Sequence, residues 1–197
     1  VKSGGGKASV NSARTSITFR AALCAFAITG CLVSGIAEAN VVQGPGAAAT
    51  GSNSVAVGDN AKSAGAKSVA IGNDAATLAT SENGIAIGNG AKAEGQQRVK
   101  VPYPAGTIAI GQGSVAKENG DIVIGRQAKS TISKYHQQPG SGAVVMGAEA
   151  ASYGSRGDVV IGAAAEANII RKNATVDGDG QLFSQSVAIG SVAKVYG

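Results

Sequence analysis

One eight-residue unit recurs eight times along the chain, and that recurrence constrains the fold more than any other feature. The first copy is Ser54-Val55-Ala56-Val57-Gly58-Asp59-Asn60-Ala61, and the others begin at Ser68, Gly84, Thr107, Asp121, Ala143, Asp158 and Ser186. The spacings are 14, 16, 23, 14, 22, 15 and 28 residues, so the basic period is about 14 and some copies carry insertions. Internal repetition at a short fixed period is the signature of a solenoid, in which each unit buries its apolar face only against its neighbours.

Alignment of the copies shows what each position does. The second and fourth positions are Val55/Val57, Val69/Ile71, Ile85/Ile87, Ile108/Ile110, Ile122/Ile124, Val144/Met146, Val159/Ile161 and Val187/Ile189. All are β-branched except Met146. The third position is Ala56, Ala70, Ala86, Ala109, Val123, Val145, Val160 and Ala188. The fifth is Gly in every copy, and three residues later stands Ala, replaced once by Ser114. Alternate residues of a strand point to opposite faces, so the second and fourth positions share one face and the third takes the other. A short strand then ends at a glycine that can turn or let another backbone approach. Stacking with about 4.8 Å between strands makes eight coils roughly 38 Å tall. On this pattern the Val/Ile ladder is expected inside each coil as the core. The Ala/Val ladder at the third position is then expected outside, where it offers a flat strip for self-association.

The formal charge of +5 is unevenly placed: residues 1–39 carry +3 and residues 40–197 only +2. No general nucleic-acid surface follows, and no nucleic-acid partner is expected. A basic stretch ends at Arg20 and an apolar run from Ala21 to Ala37 closes in Ala37-Glu38-Ala39. Basic region, apolar region and small-residue cleavage site make residues 1–39 a secretory signal region. Both cysteines, Cys24 and Cys31, fall inside it, so no disulfide framework is expected in the exported chain. Residues 40–53 read as a Gly/Ala-rich leader and 54–197 as the repeat domain.

Ser54-Val55-Ala56-Val57-Gly58, Ser68-Val69-Ala70-Ile71-Gly72 and Ser186-Val187-Ala188-Ile189-Gly190 resemble the head repeats of trimeric autotransporter adhesins of the YadA type. The resemblance covers residues 54–197. It implies an all-β, left-handed parallel β-roll assembled as a homotrimer on a Gram-negative outer surface. It also implies attachment to host extracellular-matrix proteins or host cell receptors, and self-adhesion. No neck, heptad stalk or membrane barrel is recognised in the sequence, so membrane anchoring is expected only through a C-terminal barrel absent from this stretch.

The long spacings place insertions near residues 96–104, 131–139 and 169–183. Insertions in solenoids emerge as loops, often on the binding side. They hold the candidate ligand-binding residues Arg98, Lys100, Tyr103, Lys134, Tyr135, His136, Arg171 and Lys172, of the types that anchor interfaces. Packing over the roll edge is the competing reading. Arg156-Gly157-Asp158 spells an integrin tripeptide, but Asp158 also fills the first repeat position, as Asp121 does, and the structural role is preferred. Asp177-Gly178-Asp179-Gly180 offers too few oxygens for calcium.

Enzymatic readings find little support. A left-handed β-helix acyltransferase needs its hexad in tandem, whereas here it occurs once per coil. The single histidine, His136, sits in an insertion without an identified partner. Phosphate-cradling loops lack the following Lys-Ser/Thr, and an ice-binding solenoid would need a regular Thr ladder. The expectation is a non-enzymatic surface adhesin head with no cofactor, no metal and no catalytic residue.

Overall fold

A computed structural model of the chain describes residues 39–96, 106–131, 142–153, 157–167 and 185–196. The described residues form eighteen short strands: β1 (Val41–Gln43), β2 (Ala48–Ala49), β3 (Val55–Val57), β4 (Lys62–Ser63), β5 (Val69–Ile71), β6 (Ala76–Thr77), β7 (Ile85–Ile87), β8 (Lys92–Gln96), β9 (Ile108–Ile110), β10 (Val115–Glu118), β11 (Ile122–Ile124), β12 (Lys129–Thr131), β13 (Val144–Met146), β14 (Ala151–Tyr153), β15 (Val159–Ile161), β16 (Glu166–Ala167), β17 (Val187–Ile189) and β18 (Lys194–Val195). Odd strands build one nine-stranded sheet and even strands a second, each in chain order. Every pairing is parallel, and equivalent repeat positions face each other, as in Ala56 with Ala70 and Ala86 with Ala109. The architecture is the parallel β-roll that the repeat predicts. Even the copies that flank the long spacings stay in step, with Ile122 opposite Val144 and Val159 opposite Val187.

The roll begins one coil earlier than the repeat alone indicates. Val41-Val42-Gln43-Gly44 pairs with Val55–Val57, so residues 40–53 are a coil of the solenoid rather than a leader. Gln43 stands at the fourth position, where every other copy is aliphatic or Met, and that hides the copy.

Which ladder lies inside is the reverse of the sequence expectation. Ala56, Ala70, Ala86, Ala109, Val123, Val145 and Val160 are 0% exposed and Ala188 is 2% exposed, within a single chain. They are the core and cannot be a contact between chains. The expected core residues instead point outward: Val55, Val57, Val69, Ile85, Ile87, Ile108, Ile110, Ile122, Ile124, Val144 and Val159 are half-buried, while Ile71, Met146, Ile161, Val187 and Ile189 are exposed. The cause is volume. The two sheets lie back to back, so each coil must fit one inward residue from each strand. The second sheet contributes Ser63, Thr77, Ala93, Ala116, Ser130, Ser152 and Ala167, all nearly or fully buried. The corner adds Ala61, Ala75, Ala91, Ala128, Ala150 and Ala165, at 0% exposure. Interiors pack without room for extra methylenes. A coil of about 14 residues therefore closes around small side chains and leaves Val and Ile outside.

The turn after each odd strand repeats with the same hydrogen bonds. Ala61 N–H donates to Gly58 O at 3.2 Å and Ala75 N–H to Gly72 O at 3.3 Å, and so on through Ala193 N–H to Gly190 O at 3.3 Å. The residue before the alanine has positive φ: 55° at Asn60, 52° at Asp74, 60° at Val192. A positive φ at that position is what a type II turn requires. The glycine of each turn stacks directly on the glycine of the next coil. A Cβ on Gly72 would lie 2.6 Å from Gly88 O, which is why no side chain is found in this column. The bonds between coils run on through the turn, with Gly72 N–H donating to Val57 O at 2.8 Å and Asp74 N–H to Asp59 O at 2.9 Å.

Candidate interaction surfaces

Two surfaces and one buried corner follow from this geometry. The first surface is the outer face of the odd-strand sheet. One row reads Val41, Val55, Val69, Ile85, Ile108, Ile122, Val144, Val159 and Val187; the other reads Gln43, Val57, Ile71, Ile87, Ile110, Ile124, Met146, Ile161 and Ile189. In-register stacking places like on like, so the branched side chains shield one another along the ladder. Their other side remains open to solvent. The strip stands about 38 Å tall at the usual spacing of strands, and Gln43 is its one polar member. An apolar strip that long is more than a lone folded chain ordinarily leaves exposed.

The buried corner lies at the first repeat position. Ser54 Oγ donates to Gly51 O at 2.7 Å and Ser68 Oγ to Gly65 O at 2.6 Å. Ser68 also shares hydroxyl bonds with Ser63 at 2.6 Å and Thr77 at 2.8 Å. Two copies carry aspartate there, and both are 0% exposed. Asp121 Oδ2 accepts from Ser130 Oγ at 2.5 Å and Glu118 N–H at 3.1 Å, and Oδ1 accepts from Ala143 N–H at 3.0 Å. Asp158 Oδ2 accepts from Ser152 Oγ at 2.6 Å and Oδ1 from Ser186 N–H at 3.1 Å. Each carboxylate thus holds the first residue of the coil beyond a long spacing. The signal was legible: aspartate takes the first position in the copies at 121 and 158, which precede the spacings of 22 and 28 residues. Burial of Asp158 also removes it from any integrin-type contact, leaving its structural role.

The second surface is the outer face of the even-strand sheet, where Lys62, Lys92, Lys129 and Lys194 are exposed. Sequence reading passed over these lysines because each sits alone in its copy.

The candidate ligand-binding residues Arg98, Lys100, Tyr103, Lys134, Tyr135, His136, Arg171 and Lys172 lie outside the described residues, as do residues 1–38 of the secretory signal region and Asp177-Gly178-Asp179-Gly180. Among the described residues no group of three or more His, Cys, Asp or Glu is placed to hold a metal ion.

Comparison with curated proteins gave no match. The profile of the YadA head domain repeat matches residues 49–75, 79–97 and 105–128. These stretches run from the end of the first coil into the sixth, and the later coils continue the same register without a break. Profile and geometry agree, and residues 49–128 of this solenoid carry the YadA head domain repeat.

Proposed function

We propose that this chain is the head of a trimeric autotransporter adhesin, non-enzymatic and displayed on a bacterial outer surface after export through residues 1–39. The observation that carries the reading is the aliphatic outer face of the odd-strand sheet. Three copies that turn this face to a common axis bury Val and Ile that a single chain leaves half open. Burial of such area is worth roughly 25 cal/mol per Å², and cyclic symmetry brings each residue of the face near its two equivalents. The self-association expected from the sequence is thus kept, but the Val/Ile ladder replaces the Ala/Val ladder as its surface. The insertions, with Arg98, Lys100, Tyr103, Lys134, Tyr135, His136, Arg171 and Lys172, remain the proposed contacts to host matrix proteins or cell receptors. Three weak sites on one rigid head gain by effective concentration.

The test is the native mass of residues 40–197 by light scattering. A trimer is expected for the parent. The double variant Ile87→Asp/Ile110→Asp places six carboxylates at the proposed axis and should run as a monomer with its β circular dichroism retained. A trimer that survives both substitutions refutes this face as the contact. Deletion of residues 132–140 should abolish binding to collagen, laminin or fibronectin while the trimer mass persists; unchanged binding removes that loop from recognition.

A further inference from the structure

The even-strand sheet carries a row in strict register, Ala48, Lys62, Ala76, Lys92, Val115, Lys129, Ala151, Glu166 and Lys194, of which Ala151 is buried and the others are half-buried or exposed. Lys62, Lys92 and Lys129 fall on alternate rungs. Two rungs span about 9.6 Å, so the three line up over about 19 Å along the solenoid axis. Short side chains, Ala76 and Val115, occupy the rungs between them and leave the ammonium groups unobstructed. Other described cations are paired: Lys67 faces Glu82 at 3.8 Å and Arg126 faces Glu149 at 2.7 Å, and at the end of the row Lys194 faces Glu166 at 3.8 Å. Among the described residues no ion pair engages Lys62, Lys92 or Lys129. Lys129 instead stands 5.7 Å from the centre of the Tyr153 ring. One pleat along the same face, Glu94 and Lys117 offset each other and add no net charge.

We propose that this row binds a linear sulfated polysaccharide laid along the solenoid axis. The charges stand single file at a regular interval, which suits an extended polymer whose acid groups recur along one chain. Single-stranded nucleic acid would need aromatic platforms for its bases, and the described part of this face offers Tyr153, which is 8% exposed and donates its hydroxyl to Glu166 Oε1 at 3.0 Å. An anionic membrane would meet a narrow file of lysines with only Ala76 and Val115 between them, both half-buried, which leaves little apolar surface to enter it. This surface adds to the adhesin reading and does not depend on which ligand the insertions take.

The probe is heparin, immobilised and also titrated free against the full 197-residue chain at physiological salt. The parent should bind with a marked salt dependence. The triple variant Lys62→Ala/Lys92→Ala/Lys129→Ala should bind at least roughly tenfold more weakly, as expected when several ion contacts are removed together. Its melting curve should match the parent, because all three side chains are exposed. The control Lys67→Ala/Arg126→Ala, which removes cations that are already paired, should bind like the parent. Parent-like binding by the triple variant overturns the proposal, since basic residues of the insertions or of residues 1–39 would then hold the polymer. Lysine-dependent binding to single-stranded DNA or phosphatidylserine vesicles, with none to heparin, overturns it in favour of those partners. Trimer mass is unaffected in either case, so failure here and failure of the adhesin reading are separable.

Discussion

The glycine column offers a controlled experiment on what stacking coils requires. Gly72 and Gly190 hold the same turn position at nearly the same φ, 130° and 127°. A Cβ on Gly72 would lie 2.6 Å from Gly88 O and 2.7 Å from Gly88 C, whereas a Cβ on Gly190 would meet nothing among the described residues nearer than Ala193 Cβ at 3.9 Å. Alanine at Gly190 therefore pays for backbone strain alone, about 1–3 kcal/mol. Alanine at Gly72 adds the collision. Relief to ordinary van der Waals contact needs a shift of about 0.8 Å, which stretches a 2.8 Å hydrogen bond past the usual limit. Two such bonds cross this junction, Gly88 N–H to Ile71 O and Gly90 N–H to Asn73 O, both 2.8 Å. At about 1 kcal/mol each, the collision costs roughly 2 kcal/mol beyond the shared strain. For a chain of this size that difference separates the melting temperatures by roughly 4–8 °C. Gly72→Ala and Gly190→Ala should be melted at one protein concentration by circular dichroism. Equal melting temperatures would show that the coils can part at a turn without cost, and the stacking argument would fail.

Two further outcomes rest on other corners. Val192 carries φ 60° with a β-branched side chain that is 59% exposed; Val192→Asn should relieve about 1 kcal/mol of strain, read as roughly fivefold slower hydrogen exchange at the Val192 and Ala193 amides. Asp121→Ala strands Ala143 N–H, Glu118 N–H and Ser130 Oγ in the interior and should cost about 3 kcal/mol, lowering the melting temperature by roughly 6–12 °C; an unchanged melt would show that the carboxylate holds nothing together.

Repeat positions, strand sites and parallel register could all be read from the sequence, because each copy states the same alternation and the same closing glycine. Alternation, however, defines two faces without saying which is inner. Hydrophobicity favours Val and Ile inside, and that choice is wrong here because cross-section decides. The column Ala61, Ala75, Ala91, Ala128, Ala150 and Ala165, together with small partners such as Ser63 and Ala93, records how little space the coil encloses. Reading all the small columns together points to the correct inner face. The coil at residues 40–53 was missed for another reason: Gln43 breaks the pattern on the outer face, where a polar residue costs the roll little. The lysine row was invisible copy by copy, since a row across strands exists only once the register is known. Ligand recognition was the least legible, because each insertion occurs once and no repetition reveals its rule.

The hydrogen bonds that join the coils point along the stacking axis, one rung after another. A pull along that axis loads the rungs in series, so the weakest rung sets the force at which the stack begins to give. Each released coil contributes about 14 residues, or roughly 46 Å of extended chain, where it had occupied about 4.8 Å of height. The head therefore answers tension by lengthening about tenfold per coil, in steps. Rungs bridged by a buried carboxylate across an insertion, at Asp121 and Asp158, are the places where that unravelling is held back.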